Sequence, residues 1–78
     1  MGDILIVDDE KDIRELVSDI LIDEGYSTKL AANSEETFKS IEKSKPKLII
    51  LDIWLKDSKL DGIDILHQVK LNNHDIPV

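Results

Sequence analysis

Ile4-Leu5-Ile6-Val7 form an unbroken apolar block between Gly2-Asp3 and Asp8-Asp9-Glu10. A run of that length suits a short strand covered on both faces, as in a parallel sheet. From Lys11 the period changes. Ile13, Leu16, Val17, Ile20 and Leu21 recur at helical spacing, with Lys11, Asp12, Arg14, Glu15, Ser18 and Asp19 on the other face. This predicts an amphipathic helix whose apolar stripe faces the core, stopped by Gly25. Residues 26–32 (YSTKLAA) are less apolar and read as an edge strand, with Tyr26 packed at least in part. Asn33 followed by Glu36 has the spacing of a capping box and opens a second helix carrying Phe38 and Ile41, ended by Lys43-Ser44-Lys45-Pro46. A second apolar run, residues 48–53, carries Asp52 near its end. The polar stretch 56–62 then leads into a third helix, expected to bury Ile63, Leu66 and Val69 and to end at Asn72-Asn73. Ile76-Pro77-Val78 reads as the start of a further strand. The order β-α-β-α-β-α-(β) predicts an α/β fold with right-handed crossovers and helices on both faces of a parallel sheet.

Seventy-eight residues hold one domain. Without cysteine, disulfide, zinc-thiolate and thiol-nucleophile chemistry are excluded. Seventeen acidic against ten basic residues give a net charge of −7, which disfavours direct contact with nucleic acid or an anionic membrane surface. No apolar run is long enough to span a bilayer, and the first ten residues lack the pattern of a signal peptide, so a cytoplasmic location is expected.

Both apolar strands end in acid: the first in Asp8, Asp9 and Glu10, the second in Asp52. In an open parallel sheet the carboxyl ends of the strands share one edge, where functional crevices form. Neighbouring strands would bring Asp8, Asp9 and Asp52 together, and unit charges 4 Å apart repel by about 4 kcal/mol at an effective dielectric near 20. Protonation or a hard divalent cation, magnesium or manganese, would relieve that repulsion. The competing reading makes Asp8 and Asp9 a solvated turn that supplies negative charge to the next helix. Asp52, set between Leu51 and Ile53, is harder to explain that way. His67 and His74 have no ligand partners at useful spacing and read as surface residues; the lysines 43, 45, 47, 56 and 59 read as solvated charges.

The stretches ILIVDDE, EGY, LIILDIWL and DGIDIL together resemble the receiver (CheY-like) domain of bacterial two-component response regulators, most of all NtrC-class receivers of the NtrX type. The resemblance implies a three-layer flavodoxin/CheY-like fold with strand order 2-1-3-4-5, of which residues 1–78 would supply the first three βα units of an incomplete receiver. It implies Asp52 as phosphoryl acceptor and Asp9, Asp52 and the Trp54 main-chain carbonyl as ligands of Mg2+ (or Mn2+), with Asp8 acting through water. The Trp54 ring itself is expected to pack on the loop or an adjacent helix. A sensor histidine kinase is the implied phosphodonor, and no enzymatic turnover is expected. Leu55 to Leu60 replaces the family's Met-Pro pair with a longer loop. Complete receivers have about 120 residues, an ordinary domain size. The switch hydroxyl and phosphoryl-contacting lysine of the later strands would then lie outside residues 1–78, which implies impaired signalling. Surfaces bared in this way are expected to be covered in a homodimer or higher oligomer. Two other readings stay open: a non-phosphorylated interaction module with vestigial acids, and a haloacid-dehalogenase-type phosphohydrolase. The latter would need a second Asp where Trp54 stands.

Overall fold

The computed structural model describes residues 3–56, 58–73 and 75–78, so the surface role expected of His74 falls outside the described residues. Ile4–Val7 is β1, Lys11–Asp23 is α1, Thr28–Ala31 is β2, Ser34–Lys43 is α2, Leu48–Leu51 is β3 and Gly62–Asn72 is α3. The sheet is parallel with order β2-β1-β3, and β1 pairs residue for residue with both neighbours, Val7 facing Ala31 and Leu51. All four residues of β1 are buried, as an apolar run with no polar alternation requires of a central strand.

One face of the sheet presents Leu5, Val7, Ala31 and Ile49, which pack with Ile65 and Val69 of α3 and with Ile76; Phe38 and Ile41 of α2 close over this core half-buried. The other face carries α1. There Ser18, buried in α1, hydrogen-bonds Thr28 of β2 at 2.6 Å, so the polar pair inside that contact is satisfied. The three layers and the 2-1-3 order agree with the sequence.

The boundaries and faces differ in several places. The apolar stripe of α1 is not a covered core face: Leu16 and Ile20 are each 55% exposed, and Ile13 and Ile50 are exposed beside them. The reason is that α1 alone overlies this side among the described elements. Tyr26 is exposed, outside β2, which starts at Thr28. In α3 the buried line is Gly62, Ile65 and Val69, and Ile63 is 49% exposed. The helix meets the sheet through the side that lets Gly62 approach β3, which turns Ile63 outward. Residues 76–78 form no strand, yet the Ile49 N–H donates to the Pro77 carbonyl at 2.9 Å and ties this segment to β3.

Helix ends follow local chemistry. Asn33 caps α2 by accepting the Glu36 N–H at 2.9 Å, while the Glu36 carboxylate reaches back to the Ala32 N–H at 3.1 Å, one residue before its capping-box target. Asp61, unrecognised in the sequence as a cap, does the same for α3 by accepting the Asp64 N–H at 2.9 Å. Beyond α1, Gly25 adopts φ +94, a conformation that costs a residue with a Cβ and that lets the Tyr26 N–H return to the Leu21 carbonyl.

Candidate metal and phosphoacceptor site

Because β1 and β3 are hydrogen-bonded neighbours, their carboxyl ends lie side by side. The Asp52 N–H extends the ladder to the Val7 carbonyl at 2.9 Å, and the Asp8 N–H reaches the Ala31 carbonyl at 3.1 Å. Asp8, Asp9 and Asp52 follow directly from these strand ends. Each offers a carboxylate oxygen within 4.8 Å of the other two, and all three are half-buried. The convergence expected from the sequence is present. At this spacing each pair of charges repels by about 3 kcal/mol at an effective dielectric near 20. An all-carboxylate donor set of this kind fits a hard divalent cation such as magnesium.

Main-chain amides orient each carboxylate. Asp8 Oδ1 accepts the Glu10 N–H at 2.9 Å, Asp52 Oδ1 accepts the Trp54 N–H at 3.1 Å, and Asp9 Oδ2 accepts the Lys56 N–H at 3.3 Å. Among the described residues the second oxygen of Asp52 takes no hydrogen bond and is uncommitted. Arg14 Nη1 donates to the Asp8 carbonyl at 2.7 Å and places a fixed positive charge beside the acids. The hydrophobic period had put Arg14 on the solvent face of α1, and no local signal marked its return to the strand end. An open hollow between α1 and the sheet, lined by Ile6, Ile13, Val17 and Ile50, reaches Asp8 and Asp52.

The Trp54 ring does not pack on the loop or on a helix: it is 81% exposed. The main chain accounts for this, because the Trp54 amide turns back onto Asp52 and the Gly62 N–H bonds the Ile53 carbonyl at 3.0 Å, so the backbone beside Trp54 is held at the site while its ring stays in solvent. His67 is exposed on α3 and joins no acidic group. Lys59 is not wholly free in solvent; it lies 3.7 Å from Glu35. Two contributors escaped the sequence reading besides Arg14: Gly62, which touches the Asp52 main chain, and Ser58, which ties the loop to α2. The signal for Gly62 lay in the DGIDIL stretch, where a glycine follows an aspartate directly after the polar loop.

A model of the response regulator receiver domain matches residues 4–78. The chain is 49% identical over 76 residues to the nitrogen assimilation regulatory protein NtrX of Azorhizobium caulinodans, covering 97% of this chain and 17% of that protein. It therefore spans about a sixth of the length of that relative. Among solved structures, the receiver domain of NtrX from Brucella abortus superposes with a TM-score of 0.96 at 46% identity, over 97% of this chain and 63% of that one. The response regulator TrrA of Thermotoga maritima, crystallised in complex with Mg2+-BeF, superposes with a TM-score of 0.88 at 36% identity, over 97% of this chain and 64% of that one. TrrA has also been solved in complex with the histidine kinase ThkA.

Proposed function

The chain belongs to the response regulator receiver domain family, and from that premise we propose that Asp52 accepts a phosphoryl group from the phosphohistidine of a sensor kinase. The observation that carries this is the meeting of three carboxylates from two adjacent strand ends within 4.8 Å. The uncommitted oxygen of Asp52 attacks phosphorus, the P–N bond to the donor imidazole breaks, and the imidazole keeps the electron pair and takes up a proton. The new O–P bond leaves Asp52 as an acyl phosphate. The Trp54 amide holds the other oxygen of Asp52 and so fixes the plane of the nucleophile.

Asp9, Asp52 and the Trp54 carbonyl would hold magnesium, or manganese, directly, and Asp8 would hold it through water. Bound magnesium supplies positive charge opposite the oxygens of the transferring group. Asp8 and Asp9 contribute charge and placement and form no covalent bond. Arg14, fixed on the Asp8 carbonyl, moderates the excess negative charge before the cation arrives. On this reading the chain is a stoichiometric phosphoacceptor, and it turns over no substrate.

Incubation with a small acyl phosphate and magnesium should add one phosphoryl group, read by intact mass. The added mass should be absent from Asp52→Asn and from samples treated with a chelator. Its persistence in Asp52→Asn would remove Asp52 from the role.

A further inference from the structure

Ser58 joins the loop after β3 to the start of α2. Its Oγ accepts the main-chain N–H of Ser34, the first residue of α2, at 2.9 Å and donates to the Leu60 carbonyl at 2.6 Å. Ser34 is 2% exposed, and the side chain of the α2 cap, Asn33, is committed to the Glu36 N–H. The first amide of α2 therefore has its partner in a loop 24 residues away. The second tie between loop and helix, Lys59 to Glu35 at 3.7 Å, joins exposed side chains and contributes little.

Two positions before Ser58, the Lys56 N–H donates to Asp9 Oδ2 at 3.3 Å. That distance lies just outside the usual range for an amide donor, so the bond depends on the loop holding its place. Ser58 is thus anchored to α2, and Lys56, two positions earlier in the chain, anchors a carboxylate of the acidic cluster. We propose that Ser58 is a positioning residue for the metal centre: by pinning the loop to α2 it keeps the Lys56 amide on Asp9 and presents that carboxylate to the cation. This rests on the reading of Asp8, Asp9 and Asp52 as a magnesium site.

Linkage makes the proposal reciprocal. If the anchored loop favours the cation, the cation favours the anchored loop by the same factor, and the tie at Ser34 tightens. Calorimetric titration of the chain with magnesium should give a dissociation constant about tenfold higher for Ser58→Ala, the low end of the loss expected when support behind a metal ligand is removed. Ser58→Thr, which keeps the hydroxyl, should restore most of the affinity. In the wild-type chain, saturating magnesium should slow hydrogen exchange at the Ser34 amide, read by NMR, by a larger factor than at the buried β1 amides, which report the global stabilisation that any bound ligand gives. Equal magnesium affinity in wild type and Ser58→Ala, or Ser34 exchange slowed by magnesium no more than that of the β1 amides, would overturn the role of Ser58 alone. A wild-type chain that binds no magnesium would overturn it together with the metal reading beneath it.

Discussion

Gly62 lies directly against the main chain of Asp52. A Cβ at position 62 would overlap the Asp52 carbonyl oxygen and fall 2.5 Å from the Ile53 Cα. The first turn of α3 is thus the floor under the acceptor, and Asp61 holds that turn in place by capping the Asp64 amide.

Gly62→Ala should therefore do more than crowd a helix. The added methyl meets backbone, which cannot rotate away, so the loop or the helix must shift. A loss of about 1–3 kcal/mol is expected, the usual cost of overpacking a close contact. Urea unfolding followed by circular dichroism measures it. Magnesium affinity should fall as well, because the shift displaces Asp52.

The acidic cluster should be a source of instability until a cation enters. Asp9→Asn removes one charge from a group lying within 4.8 Å of two others. Without metal, the variant should be more stable than the wild type by about 2 kcal/mol or more, since even at the dielectric of bulk water each of the two relieved pairs repels by about 1 kcal/mol at this distance. Added salt should shrink the difference, since half-exposed charges are screened. A metal-free Asp9→Asn chain less stable than wild type at low salt would contradict this account of the site.

Trp54, the single tryptophan, stands two residues from Asp52 with its ring in solvent and its amide on the acceptor. Magnesium should quench its fluorescence in the wild type. The quench should vanish in Asp9→Ala and in Asp52→Ala, and should survive in His67→Ala, whose side chain lies outside the cluster.

The uncovered stripe of α1 should drive association of the chain. Ile13, Leu16 and Ile20, with Ile50 on the sheet, expose large apolar side chains along one side of the fold. Sedimentation velocity should show assembly that grows with concentration, and the double variant Leu16→Gln with Ile20→Gln should reduce it at little cost in stability. Glutamine leaves the net charge unchanged, so any loss of assembly reports apolar area alone. A wild-type monomer across the whole concentration range would end the oligomer reading.

At the start of α2, Asn33→Ala should cost about 1 kcal/mol, the ordinary value of a side-chain cap. The Glu36 amide loses its acceptor, while Ser34 keeps the one from Ser58. Chemical unfolding of the single variants Asn33→Ala and Ser58→Ala and of the pair measures the coupling, expected to be under about 0.5 kcal/mol if the two caps act on separate amides.

Local pattern determined a great deal here. The apolar runs at 4–7 and 48–51, the helical period from Lys11, the Asn33 cap and the Gly25 stop were each legible because they depend on residues within a few positions of one another. The motif residues Asp8, Asp9 and Asp52, with the letters around them, were enough to mark the family. Tertiary structure decided the rest. Periodicity states how apolar a face is and leaves open what will cover it, so the exposed stripe of α1 and the outward turn of Ile63 could not be read from spacing. The adjacency of β1 and β3 turned acids more than forty residues apart into one cluster. Main-chain amides at Lys56 and Trp54, the floor at Gly62 and the tie at Ser58 all act through backbone geometry, which side-chain identity barely records.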